Sequence, residues 1–248
     1  MKRYIPFMKS DPSVAIIRLQ GMIAGGSRGT LNDRALAGVI EKAFAKGKPV
    51  AVALEVNSPG GSPVQSSIAF VEDVAASGGY WLAAAADEIY ADPSSVVGSI
   101  GVISASFGAH ELLARQGVER RVYTAGKSKS MLDPFRPEKP EDVARLKGLL
   151  EDIHTNFIDH VQARRGDKLD AETELFTGEV WLAAKAKELG LIDGVGHLKP
   201  MLQERFGEKV RFRRYGLRRP FFPRLGAQMV SDTLSSVEER AAYAQFGL

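Results

Sequence analysis

Short apolar runs alternate with amphipathic stretches along this chain, and their order predicts a parallel α/β sheet. Val14–Leu19 is apolar and β-branched except for Arg18, the pattern of a mostly buried strand. Gly21, Gly25, Gly26 and Gly29 punctuate the stretch that follows. Leu36, Val39, Ile40 and Phe44 then recur at helical spacing, with Asn32 or Asp33 as cap and Gly47 as stop. Val50–Val56 is a second apolar strand, and strand–helix–strand order with a one-helix crossover is the signature of parallel pairing.

Further on, Ile89–Ala91 and Val96–Ile103 read as short extended pieces, Glu111–Arg115 as a helix ending at Gly117, and Arg121–Thr124 as a returning strand. Val143, Leu146, Leu149, Leu150, Ile153, Phe157 and Val161 describe one long amphipathic helix over Pro140–Arg165. Glu179–Leu189 is expected to be another helix, stopped by Gly190, and a last weak helix is expected around Val237–Gln245. Two readings fit Ser62–Ala76. Ala69–Asp73 can be a strand, or Val64, Ile68, Val71 and Ala75 can share one helical face.

The 248 residues are 44% hydrophobic and 25% charged, enough for a sizeable buried core. With no cysteine, disulfide scaffolds, thiol nucleophiles and thiolate metal sites are excluded. No spacing of His, Asp and Glu suggests a metal ligand set, and nothing calls for a cofactor. There is no run of ~20 apolar residues, and no apolar segment follows Met1-Lys2-Arg3, so a cytoplasmic chain without signal peptide or spanning helix is expected. The formal charge of +3 conceals an asymmetry. Lys209–Arg224 holds seven basic residues and no acid, so the remainder is net acidic and the pI near 9.0 is a local property.

Candidate chemistry lies in the Gly-rich stretches. Asn57-Ser58-Pro59-Gly60-Gly61-Ser62 follows the second strand, at the sheet edge where open α/β folds bind ligands. Ser77, before Gly78-Gly79 and the helix-like Tyr80–Ala86, is either a helix N-cap or a nucleophile with a backbone N–H beside it. None of the four histidines, His110, His154, His160 and His197, sits in a Gly-rich or strand-end setting suited to a triad. The other available base is a lysine kept neutral by burial. Lys129 leads into the apolar Met131-Leu132 and Phe135, with Lys127 close by; both can equally be solvated loop residues.

Taken in order, NSPGGS, DVAASGGYWLAAAAD, GSIGVI, a GKxK-type loop followed by PF, and Phe176–Gly196 resemble the signal peptide peptidase A (protease IV-like) family of serine proteases. The resemblance covers most of the chain from Val14 to about Arg214. It implies a ClpP/crotonase-like fold, a parallel sheet with flanking helices, and a Ser–Lys dyad. By motif position Ser77 corresponds to the nucleophile, Lys129 to the general base and Ser99 to the serine that orients the lysine. Gly61 and Gly78 correspond to the oxyanion donors. Ser128 stands where the family has a tyrosine.

In that family a full crossover helix and a further strand separate NSPGG from the nucleophile. Here only Ser62 to Ala76 lie between Gly61 and Ser77, so the crossover is shortened. The resemblance thus implies a peptidase cleaving hydrophobic peptides such as signal-peptide or membrane-protein fragments. The alternative is a catalytically impaired homologue with a deleted crossover segment, acting as a folded or oligomeric scaffold. An acyl-CoA enzyme on the same fold is a weaker third reading, since Ser–Lys motifs give no reason for a thioester. A homo-oligomer is expected by the same resemblance. The protease domain is expected over residues 1–207 and a basic-aromatic extension over 208–248. Lys209–Arg224, interleaved with Phe212, Tyr215, Phe221 and Phe222, offers peripheral contact with an anionic membrane, a solvated extension or a subunit contact. Nothing else in the chain supports nucleic-acid binding.

Overall fold

The computed structural model describes residues 11–20, 33–58, 68–126 and 128–216. They form two compact units, one of Met1–Ile100 with His160–Leu248, the other of Gly101–Asp159.

The first unit is built on a mostly parallel sheet. Its strands are β1 (Ser13–Gln20), β2 (Ala51–Ser58), β3 (Ile68–Ala76), β4 (Glu88–Ala91), β5 (Val96–Gly98), β6 (Val180–Leu182), β7 (Gly194–Val195) and β8 (Arg211–Tyr215). The order is β6-β5-β3-β2-β1-β8, with β4 beside β3 and β7 beside β4. Every pairing is parallel except β5 with β6. α1 (Asp33–Ala45) lies against β1 and β8, and α2 (Gly78–Ala84) against β2 and β3. α5 (Ala183–Glu188) follows β6, and α6 (Leu198–Phe206) follows β7.

Because β1 and β2 are covered on both faces, they read as unbroken apolar runs. On one face Val14, Ile16, Ala53, Ile68 and Phe70 pack against Leu198 and Leu202 of α6. Full burial of such a side chain contributes about 1.5–3 kcal/mol. On the same face, toward the strand ends, stands Glu55, with Arg18 at 3.4 Å and Arg214 at 3.1 Å. Burial, with Glu72 beside it, pushes its carboxyl above the ordinary range, although Arg214 and Arg18 oppose this.

The ambiguous segment resolves as the strand β3, paired with β2 from Ala53↔Ile68 onward. A helix over Ser62–Ala76 is therefore excluded for its second half. Only nine residues, 59–67, link Ser58 to Ile68, fewer than a helical crossover takes.

Two other expectations are corrected. Glu179–Leu189 is not one helix: Val180–Leu182 forms β6, with Trp181 opposite Val97, and only then does α5 begin. Pairing with a strand some eighty residues earlier overrides the local helical pattern. Arg121–Thr124, expected as a strand, has no pairing partner among the described residues and Tyr123 is 92% exposed. The basic segment beyond Gly207 begins with β8, parallel to β1. There Arg211 is bonded to Asp11 at 2.7 Å. The expected helix at Val237–Gln245, like Phe221, Phe222 and Arg224, lies outside the described residues.

The second unit contains α3 (His110–Arg115), closed by Gly117 at φ 65°, and the first five turns of α4 (Pro140–Arg165). Arg120 is bonded to Asp133 at 3.3 Å and its guanidinium lies over Phe135. The last residues of α4, from His160, belong to the first unit, where Arg165 is fully buried. Arg165 donates to the Gly190 carbonyl at 2.7 Å and to Asp193 at 2.6 Å.

Candidate active site

Ser77 directly follows the last residue of β3 and stands at the N-terminal boundary of α2. Its backbone is at φ 51° and ψ −125°, a left-handed conformation that an L-residue adopts only under constraint. The constraint is visible. The Ser77 N–H donates to the Gly98 carbonyl at 2.8 Å, and the Ser77 carbonyl accepts from the Trp81 N–H at 3.0 Å. The hydroxyl makes no capping hydrogen bond, so the N-cap role that the sequence allows is not the one taken. Next to it, the Gly78 N–H is a first-turn donor without an acceptor inside the helix.

Ser99 is brought alongside by the sheet. Ala76 is opposite Gly98 in the β3–β5 pairing, so Ser77 and Ser99 each directly follow the ends of adjacent strands. Ser99 is also in the left-handed region, at φ 53°, and its N–H donates to the Glu179 carbonyl at 2.6 Å. Gly98 before it, at φ 115°, is packed on Trp181, where an added Cβ would come within 2.8 Å of the indole.

Lys129 belongs to the second unit. It is exposed there, in a turn whose N–H donates to the Gly126 carbonyl at 3.2 Å. Ser128 accepts a hydrogen bond from Arg145 of α4 at 2.6 Å, which ties the loop to that helix. Gly61 and Lys127 lie outside the described residues.

Tyr80 is fully buried and donates from its hydroxyl to the Leu191 carbonyl at 2.8 Å. Burial pushes its phenol far above the ordinary range, so it remains a protonated donor. His160 stacks on Trp81, and its Nε2 is 3.1 Å from the Trp81 carbonyl. It packs on α2 through Trp81.

Two contacts at this edge have no sequence signal. Gly79 packs directly on the Ser58 carbonyl of β2. Asn57 Nδ2 donates to Asp73 Oδ2 at 2.6 Å, where the β2–β3 register shifts. Glu72 and Asp73 at this shift, with Glu55, Asp92 and His197, line an open cavity of about 600 Å3. Among the described residues no helix is long and apolar enough to cross a membrane.

Known proteins resemble the chain over most of its length. The model of peptidase family S49 matches residues 60–205. A putative protease of Synechocystis is 30% identical over 207 residues, covering 77% of this chain and 73% of that protein. The chloroplastic serine protease SPPA of Arabidopsis thaliana is 32% identical over 208 residues, 75% of this chain and 31% of the relative.

A Brucella abortus protein named Na(+)/H(+) antiporter NhaA is 45% identical across 286 aligned positions. These cover all 248 residues of this chain but 39% of that relative, so the name describes a protein of which the chain spans about two-fifths. Among solved structures, a membrane-bound stomatin-specific protease mutant with a substrate peptide aligns at TM-score 0.50 and 15% identity. It covers 92% of this chain and 100% of that one. At that identity the likeness concerns the fold, which is ClpP/crotonase-like.

Proposed function

The chain belongs to peptidase family S49, and on that premise we propose that it is a serine endopeptidase acting on hydrophobic peptides through Ser77 and Lys129. The observation that carries this reading is Ser77 itself. It sits at a left-handed strand-to-helix elbow, with its hydroxyl unused for capping and the Gly78 N–H and Ser99 beside it.

In the proposed reaction the Lys129 amine takes the Ser77 proton while Oγ attacks the peptide carbonyl. The oxyanion rests between the Gly61 and Gly78 N–H groups, each such donor being worth about 2.7–4 kcal/mol in related chemistry. Ser99 orients the lysine. Collapse breaks the C–N bond, and the Lys129 ammonium returns the proton to the leaving amine. Water, activated by the same lysine, then hydrolyses the acyl-enzyme.

Incubation of the whole chain with a fluorophosphonate probe tests this. Label is expected at Ser77 and is expected to vanish in Lys129→Ala. An unlabelled but folded parent chain overturns it and supports the second reading, a catalytically impaired homologue kept as a scaffold. The nine-residue link between Ser58 and Ile68 favours that second reading.

Assembly into a homo-oligomer belongs to the same proposal. It is supported by the exposure of Ile103, Phe107 and Tyr123, at 87%, 90% and 92%, within the second unit. Peripheral membrane contact through Lys209–Arg224 in the cytoplasm is proposed as well, although Arg211 and Arg214 already pair with Asp11 and Glu55.

A further inference from the structure

The peptide group between Gly98 and Ser99 is hydrogen-bonded on both sides. Its carbonyl accepts from the Ser77 N–H at 2.8 Å, and its N–H donates to the Glu179 carbonyl at 2.6 Å. One planar unit thus joins the residue that precedes β6 to the residue that follows β3. Because the plane is rigid, the two bonds form or break together.

The residues on either side of this plane do not hold it there by preference. Gly98 stands at φ 115° and Ser99 at φ 53°, the second with a Cβ in the left-handed region. Turning the plane over returns Ser99 to ordinary extended backbone and breaks both hydrogen bonds. The observed orientation therefore needs a restraint from elsewhere in the fold.

Trp181 supplies it. In the antiparallel β5–β6 pair Val180 is opposite Gly98 and Trp181 opposite Val97. A Cβ added to Gly98 would stand 2.8 and 2.9 Å from indole carbons Cε3 and Cζ3, and 2.9 Å from the Glu179 carbonyl oxygen. Ring and carbonyl, from one short segment, close the side of Gly98 on which a side chain would grow. Trp181 is partly buried there, whereas Val180 and Leu182, on the other face of β6, are 41% and 57% exposed.

The restraint reaches the nucleophile. The Ser77 N–H is committed to Gly98, which fixes the strained backbone from which the Ser77–Gly78 peptide departs. The N–H of that next peptide is the first-turn donor of α2.

We propose that Trp181 is a positioning residue, which by packing on Gly98 fixes the Gly98–Ser99 peptide and through it the backbone of Ser77 and the place of Ser99. It touches no substrate. The proposal rests on the Ser77 reading above.

The test compares the parent chain with Trp181→Ala, Trp181→Phe and Leu182→Ala. Four quantities are read: the rate of Ser77 labelling by a fluorophosphonate, kcat and KM on a hydrophobic peptide ester, the melting temperature, and amide hydrogen exchange at Ser77 and Ser99. Small misplacements of reacting groups cost up to about a hundredfold, so Trp181→Ala is expected to lower labelling and kcat by about ten- to a hundredfold. KM should change little. The Ser77 and Ser99 amides should lose protection together, since one peptide holds both. Trp181→Phe keeps an aromatic ring on Gly98 and is expected to recover most of the rate. Leu182→Ala, on the opposite face of the same strand, should label like the parent. If Trp181→Ala does not fold, Trp181→Leu takes its place with the same expectations.

Parent-like labelling of Trp181→Ala overturns the proposal. So does a Trp181→Phe as slow as Trp181→Ala, or a Leu182→Ala slowed to the same degree, which traces the loss to β6 as a whole. A rise in KM at unchanged kcat also overturns it, by making Trp181 a substrate contact. A parent chain that is folded but unlabelled overturns the Ser77 reading, and the positioning role with it. Labelling of the parent decides the first question and comparison of the variants the second, so the two failures are told apart.

Discussion

The carbonyl oxygen of Ser58 lies 1.9 Å from the point where a Cβ would stand on Gly79. That spacing is possible only for glycine, and it sets the end of β2 hard against the first turn of α2, one residue beyond Gly78. The second glycine of Ser77-Gly78-Gly79 is thus a packing requirement of the fold.

Gly79→Ala is expected to push α2 off β2. Overpacking of this kind costs about 1–3 kcal/mol, here against backbone that cannot rotate away. The melting temperature should fall and Ser77 labelling should be lost. Gly148→Ala in α4 is the control, since nothing lies within 4 Å of an added Cβ there. Removing a helical glycine should stabilise by about 0.5–1 kcal/mol. Differential scanning calorimetry of the two variants distinguishes these outcomes.

Ser77 holds a left-handed backbone at φ 51°. Strain of this sort costs about 1–3 kcal/mol when the residue carries a Cβ. Ser77→Gly is therefore expected to melt higher than the parent while losing all activity, whereas Ser77→Ala keeps the strain and gains nothing. Equal melting temperatures for the two variants would remove the claim of strain.

Asp193 faces the buried Arg165 at 2.6 Å and Lys168 at 2.5 Å, and accepts the Ile89 N–H at 2.8 Å. Burial raises its pKa, but the bonds from Arg165, Lys168 and Ile89 outweigh it and hold the carboxyl below its usual 3.8. A depressed carboxylate contributes stability that is present above pH 3.8 and lost as pH falls through the folded value. Asp193→Ala, which leaves Arg165 buried without its anion, should cost about 3–5 kcal/mol at neutral pH. Urea titrations at a series of acidic pH values should show a shallower acid limb in the variant than in the parent.

His160 is held neutral against Trp81. Burial lowers its pKa, the bond to the Trp81 carbonyl works the other way, and Arg164 lowers it further. Since the unfolded chain binds the proton more readily, stability should decline as pH falls below 6.5, down to the folded value. His160→Gln, which keeps a donor for the carbonyl, should flatten that decline. Parallel pH–stability profiles for the two proteins would show that His160 does not contribute to it.

Much of this architecture was legible because its causes are local. The apolar runs of β1 and β2 announce strands buried on both faces, and the 3.6-residue spacing from Val143 to Val161 announces α4, whose bounds are Pro140 and Arg165 as expected. The ordered motifs around Ser77, Ser99 and Lys129 identified the family. Other features depend on partners far away in the chain. Ile68–Ala76 fits a buried strand or a helical face equally well, and pairing with β2, β4 and β5 selects the strand. Val180–Leu182 looks helical until β5 offers an edge, while Arg121–Thr124 looks like a strand and finds none among the described residues.

The sequence by itself determined the class of fold and the family, because periodicity and motif order are properties of neighbouring residues. The tertiary structure alone decided that the Ser77 hydroxyl does not cap its helix, that Gly79 is pressed on Ser58, and that Asp73 reaches Asn57. Each of these follows from strand register, which is set by hydrogen bonds between segments that no local pattern can foresee.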